Sequence, residues 1–213
     1  MTTSFKLIKM ERKNLTDAKK KILYSTWFRV ELYYSLPQNY EMQMSKSRNE
    51  FFGESSGRDV QELLKDRDKF CSTPYAHLLA IENNNVIGAN SLFKREINYN
   101  GEKIILGGFG GLFTIREKRK KGVATILLKI GMEELKRLNC DIAFLCTDVE
   151  NPDMVKLYSQ FGFVLLGKSY TFLGKSGTRY TKFDGMIAPV KSKNKFNYIL
   201  EGKTSLDIGT GNW

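Results

Sequence analysis

Five of the six residues from Arg116 to Lys121 are basic, and Gly122 and Ala124 follow at the head of an apolar helical pattern. The first turn of a helix carries unpaired N–H groups and the positive end of the dipole. A glycine there lets an anion approach the backbone closely, and a small residue at 124 keeps side chains out of its way. Arg119, Lys120, Lys121, Gly122, Val123 and Ala124 therefore form a candidate anion site, better matched to one pyrophosphate than to a long polymer. The alternative is a solvated basic turn ahead of an ordinary helix. The spacing Gly-x-x-x-x-Gly-Lys-Ser/Thr is absent, which sets aside a P-loop. Gly107, Gly108, Gly110 and Gly111 fall inside an apolar strand, where they mark a bulge or a close backbone approach.

Groups able to move protons are few. Asp148, Glu150 and Asp184 are candidate bases, each with a surface or structural role as its alternative. His77, the sole histidine, alternates with Tyr75, Leu79 and Ile81 and reads as a strand residue with a structural role. Cys71, Cys140 and Cys146 show no metal or disulfide spacing. Cys146 lies in a buried-strand pattern and reads as packing. No metal is expected.

The elements that must position these groups follow from periodicity. Residues 5–10 alternate as a strand. Residues 14–34 read as a helix capped by Asn14 or Thr16, and residues 37–57 as an irregular connection. Residues 58–70 suggest a short helix ending ahead of Pro74. Three strands follow at 75–82, 86–99 and 104–115, with turns at Asn83–Asn85 and Asn100-Gly101. Beyond them come a helix over 123–138, a buried strand over 141–148, a helix over 152–161, and strands over 163–173 and 181–190. Meandering strands followed by βαβ units predict an α/β fold, with a central mixed, mostly antiparallel sheet flanked by helices. The expectation is a single domain over 1–213, with residues 191–213 as a C-terminal extension that either completes a pocket or hangs loose.

The 213 residues are 41% apolar and 27% charged, a globular balance. No opening run has the form of a secretory signal, and the longest weakly polar run, 104–115, is too short to span a bilayer. A cytoplasmic location without membrane contact is expected. The net charge of +11 attracts phosphates or anionic surfaces. A nucleic-acid-binding role would need a reading motif or aromatics interleaved with the basic loop, and neither is present.

Two segments carry a resemblance to a known family. "LFTIREKRKKGVATILL" resembles the Arg/Gln-x-x-Gly-x-Gly/Ala loop of the GNAT superfamily of acyl-CoA-dependent N-acetyltransferases. "NPDMVKLYSQFGF" resembles that superfamily's Asn-x-x-Ala-x-x-Leu-Tyr-x-x-x-Gly-Phe signature, with Met154 in place of alanine. The resemblance implies a GNAT acyltransferase fold with acetyl-CoA as cosubstrate. It implies that main-chain groups of Leu112, Phe113 and Thr114 meet the pantetheine arm, that Arg119 to Ala124 cradle the pyrophosphate, and that Asn151 belongs to the cofactor site. Arg116 stands where the superfamily often has proline.

Residues 88–128, "SYTFL", "FDGMIAP" and the final "GNW" are similar to the matching parts of aminoglycoside 2'-N-acetyltransferases. That resemblance implies roles for Asp184 and for the Trp213 carboxylate at the acceptor end. Those enzymes carry a glutamate in the third strand, where this chain has Gly110. The implied reaction is attack of a neutral primary amine of a small molecule on the acetyl thioester, with Tyr158 as general acid toward the leaving thiolate. A protein or peptide N-acetyltransferase and an acyl-CoA-binding relative without turnover are the alternatives. Monomer and homodimer both stay open.

Overall fold

The computed structural model describes residues 21–24, 27–53 and 60–213. The expected strand over 5–10 and the caps at Asn14 and Thr16 lie outside them. Five helices and eleven strands are assigned among the described residues. In chain order these are β1 (Lys21–Tyr24), β2 (Arg29–Tyr33), α1 (Gln38–Gly53), α2 (Val60–Lys69), β3 (Ala76–Glu82), β4 (Asn85–Tyr99), β5 (Glu102–Thr114), α3 (Val123–Arg137), β6 (Ile142–Cys146), α4 (Pro152–Ser159), β7 (Val164–Leu165), β8 (Tyr170–Leu173), β9 (Arg179–Lys182), β10 (Gly185–Pro189), α5 (Lys193–Glu201) and β11 (Leu206–Thr210). Eight strands form one sheet in the order β1-β2-β3-β4-β5-β6-β10-β7. β5 and β6 run parallel, while β1–β2, β2–β3, β6–β10 and β10–β7 are antiparallel, so the sheet is mixed as expected. A second sheet has the order β11-β8-β9.

The chain divides into two compact units. One contains, of the described residues, 21–24, 27–53, 75–91 and 111–128. Its core joins Tyr33, Leu79, Ile81, Val86, Ala89 and Phe113 of the strands to Tyr40 and Met44 of α1. The other contains, of the described residues, 60–74, 92–110 and 129–213. Its core runs from Phe93, Leu106 and Phe144 of the large sheet to Tyr170 and Phe172 of β8, Ile199 of α5 and Trp213.

The three strands at the centre of the sequence form as expected. Their turns hold left-handed residues, Asn83 and Asn84 between β3 and β4, and Asn100 and Gly101 between β4 and β5. Gly111 is left-handed inside β5 (φ +61°), as a bulge there requires.

Four expectations are corrected. Where a helix was expected over 14–34, the described part is β1 and β2. Val30, Glu31, Leu32 and Tyr33 are all buried, and the β-branched Val30 and aromatic Phe28 and Tyr33 suit a pleated surface better than a helix. Residues 37–57 contain α1 rather than an irregular connection. Tyr40 and Met44 of its first part are buried, and it starts directly after Pro37, whose carbonyl accepts from Tyr40 and Glu41. The strand expected over 163–173 is two, β7 and β8 in different sheets, separated where Gly167 turns left-handed. The strand expected over 181–190 is likewise β9 and β10, with Phe183 and Asp184 at the crossing between sheets. Residues 191–213 are folded: α5 is capped by Ser192, and β11 pairs in parallel with β8.

Candidate active site

In the first unit, β5 ends at Thr114 and a 3₁₀ turn spans Arg116–Lys118. Lys120 then adopts φ +59° and Gly122 φ +82°, and α3 begins. Its first helical bond runs from Ile126 N–H to the Gly122 carbonyl, so the N–H groups of Val123, Ala124 and Thr125 precede the ladder. A Cβ on Gly122 would meet nothing within 4 Å, which means its approach is open. Arg119, Lys120 and Lys121 are exposed, and Arg119 Nε donates to the Thr114 carbonyl at 3.2 Å. Lys118 is committed elsewhere: its ammonium lies 2.6 Å from Glu82 and over the Trp27 ring. Gly88 lets the start of α3 settle against the strands, since a Cβ there would stand 2.8 Å from Val123 and 2.9 Å from the Phe113 carbonyl. Phe113 and Thr114 are buried, Leu112 is half-buried, and Thr114 Oγ1 has no hydrogen-bond partner. An open glycine turn, three exposed cations and unpaired helix N–H groups suit a phosphate-bearing ligand.

In the second unit, α4 is started by Asn151, whose side chain accepts from Asp153 N–H at 3.1 Å and Met154 N–H at 3.4 Å, with Pro152 in the first turn. The helix carries Tyr158, which is buried and packs its ring on Phe163. Burial pushes the Tyr158 hydroxyl up to about 12, against the opposing pull of Thr147. Asn151 thus anchors the helix that holds Tyr158.

A polar cluster forms where β6 ends. The Tyr170 hydroxyl donates to Asp184 Oδ1 at 2.8 Å and accepts from Asn212 Nδ2 at 3.3 Å. Cys146 Sγ donates to the Trp213 main-chain oxygen at 3.0 Å. Burial, then the Asp184 charge, pushes the Cys146 thiol up to about 11. Tyr170 is raised too, by burial first. Asn212 Oδ1 and Trp213 Nε1 are buried without partners. Cys146, read from sequence as packing alone, is part of this cluster.

Trp213 lies flat in a trough. Its ring stacks on Phe93 (5.3 Å, 9°) and meets Phe144 edge-on. The trough exists because residue 108 is glycine: a Cβ there would fall 1.9 Å from the indole. A Cβ on Gly110 would lie 2.7 Å from the Trp213 main-chain carbon and 2.9 Å from Phe93. The glycine at 110 is therefore a packing requirement of the seated Trp213.

Asp184 and Trp213 are brought together through Tyr170, Asn212 and Cys146. Asp148 and Glu150 are exposed, outside this cluster's hydrogen bonds. His77 Nδ1 lies 3.1 Å from Ser91 Oγ, a partner suited to its structural reading. Sequence reasoning missed Tyr170, Asn212 and Arg95. The last of these had a signal, an arginine alternating with Phe93 and Ile97 on the buried side of a strand.

Comparison with known proteins identifies the family. Residues 40–163 match the model of the acetyltransferase (GNAT) family. N-alpha-acetyltransferase 30 of Saccharomyces cerevisiae is 26% identical over 101 residues, 46% of this chain and 55% of that protein, so the chain spans about half the length of the curated relative it matches. A GNAT-family acetyltransferase from Staphylococcus aureus Mu50 aligns with TM-score 0.52 and 16% identity, covering 76% of this chain and 99% of the other. Escherichia coli ElaA aligns with TM-score 0.52 and 14% identity over the same shares. Both likenesses concern the fold. The family match spans the basic turn as well as the Asn151 to Phe163 segment, and the chain belongs to the acetyltransferase (GNAT) family.

Proposed function

We propose that this protein is an acetyl-CoA-dependent N-acetyltransferase acting on a primary amine of a small molecule. The observation that carries the acceptor class is the seating of Trp213. Its indole fills the trough over Gly108, and its main-chain oxygen accepts from Cys146 in the cluster that holds Tyr170 and Asp184, a wall that suits a compact acceptor. An amine-bearing sugar of the aminoglycoside kind is the first candidate acceptor.

Acetyl-CoA supplies the activated thioester, on which a neutral amine forms the new C–N bond as the C–S bond breaks. Arg119, Lys120 and Lys121, with the N–H groups from Gly122 to Ala124, hold the pyrophosphate. Main-chain groups of Leu112, Phe113 and Thr114 orient the pantetheine arm, and their N–H groups stabilise charge developing on the carbonyl oxygen. Asn151 serves the cofactor end by fixing the start of α4. The Tyr158 hydroxyl, kept protonated by burial, gives its proton to the leaving thiolate. Asp184, joined to Trp213 through Tyr170 and Asn212, draws off the amine proton.

A second reading, acetylation of a peptide N-terminus, is favoured by the similarity to the yeast N-alpha-acetyltransferase. The test is release of free thiol from acetyl-CoA with a 2'-amino aminoglycoside, simple primary amines and peptides with free N-termini. Saturable release with the small amines supports the proposal. Release with peptides alone transfers it to the second reading, and release with none leaves a binding protein without turnover.

A further inference from the structure

We infer that Arg95 is a positioning residue that locks Trp213, and with it the acceptor end of the site, into one geometry. The inference rests on the reading above that Trp213 borders the acceptor.

The guanidinium of Arg95 lies over the Trp213 indole, with Cζ 4.5 Å from the ring centroid. Its Nη1 donates to the carbonyls of Ile208 and of Gly211, the latter at 3.3 Å, and its Nη2 donates to Ser72 Oγ at 2.7 Å. Ser72 Oγ in turn donates to the Thr210 carbonyl at 2.9 Å. Asn212 N–H donates to the Lys69 carbonyl and Gly211 N–H to the Leu173 carbonyl, both at 2.7 Å. One planar cation thus gathers main-chain oxygens on both sides of a turn that contains two left-handed glycines, Gly209 (φ +83°) and Gly211 (φ +75°).

Among the described residues, no carboxylate lies within ion-pair distance of Arg95; its acceptors are uncharged. Burial pulls its guanidinium down to about 10. A cation buried against uncharged oxygens is an expensive way to stabilise a core, and an apolar residue of similar volume would serve packing at least as well. The charge and the plane provide orientation. A flat guanidinium stacks on an indole while its edges stay bonded in the plane, which an ammonium cannot reproduce. With the ring held between Arg95, Phe93 and Phe144, the Trp213 main-chain oxygen reaches Cys146, and Asn212 reaches the Tyr170 hydroxyl that contacts Asp184.

The test uses the full chain with Trp27→Phe, so that Trp213 is the sole indole reporter. R95M and R95K are compared with this parent. The expected result for both variants is stronger acrylamide quenching of Trp213 and an acceptor KM raised about tenfold, with the KM for acetyl-CoA within about twofold of the parent. R95K keeps the charge without the plane, so a loss shared by both variants identifies orientation as the role. If R95M does not fold, R95K carries the same readings. Unchanged quenching overturns the inference whether or not an acceptor is turned over. Increased quenching with an unchanged acceptor KM also overturns it. A parent that acetylates no amine counts against the proposed function, and the quenching result then decides the placement of Trp213 by itself.

Discussion

The indole of Trp213 occupies the space that a side chain at position 108 would need: a Cβ on Gly108 would stand 1.9 Å from the ring. The two positions, far apart in sequence, are one packing decision. Gly108→Ala is expected to lower unfolding free energy by about 1–3 kcal/mol, the usual cost of overpacking. Adding Trp213→Ala should make the two changes strongly non-additive, because the new methyl then has room. Urea unfolding of the two single variants and the double variant measures the coupling, and strict additivity would contradict the described seat.

Gly122 and Gly101 offer a matched pair. Both are left-handed, φ +82° and φ +87°, and a Cβ on either meets nothing within 4 Å. Alanine at either site should cost about 1 kcal/mol of backbone strain. Gly122→Glu is expected to abolish acetyl-CoA binding by placing an anion in the phosphate turn, while Gly101→Glu leaves it intact. Isothermal titration with acetyl-CoA reads the difference.

Tyr158→Phe should reduce kcat by about 10²-fold with little change in acetyl-CoA affinity, the loss typical of a deleted general acid. Since Tyr158 is raised to about 12, its ionisation produces no alkaline limb in the rate below about pH 10. Steady-state rates across that range check both statements.

Alkaline pH should unfold the protein. Burial raises Cys140 and Cys146 from 9.0 to about 11, and Tyr158 from 10.0 to about 12. Each holds its proton more tightly folded than unfolded, so its contribution is intact below about pH 9 and is lost as the pH climbs toward about 12. Arg95, lowered to about 10, acts in the opposite sense above that pH. Tyr33, Tyr170 and Tyr180 are raised as well, so the raised groups outweigh Arg95 and predict a net loss, visible as a lower urea midpoint at about pH 10.5 than at about pH 8.

Lys168 closes the end of α5. Its ammonium donates to the carbonyls of Ile199 and Gly202 and to the Tyr99 hydroxyl, whose ring it also faces. Lys168→Met should cost about 1–3 kcal/mol, the range for charge-assisted bonds at a partly buried site. Thermal unfolding should fall by several degrees.

The sequence carried its clearest signals where a local rule acts alone. Asn-rich turns, the Asn151-Pro152 cap and the glycine after the basic run each act through a few adjacent residues, and the elements around them formed within a residue or two of expectation. α1 was illegible because its sequence is mostly polar, and apolar residues at 40, 42, 44, 51 and 52 set no clear helical period. β2 was misread because aromatic residues at 27, 28, 33 and 34 satisfy both periods over a short window. The basic turn was visible as chemistry, while the cluster around Asp184 was only half visible. Tyr170, Asn212 and Arg95 acquire their roles from partners well separated in sequence, and no spacing rule spans such distances.

The Gly108 trough also sets an order of events during synthesis. Phe93, Gly108 and Phe144 leave the ribosome well before Trp213, which follows Gly108 by about a hundred residues, or roughly 5–20 s of elongation. Until then the aromatic floor lacks its cover, and residues 69–72 lack the strand-end turn to which they bond. This unit cannot complete its core as it emerges. A nascent chain stalled short of residue 210 should present that floor to chaperones, and emergence of residue 213 should end the exposure in a single closing step.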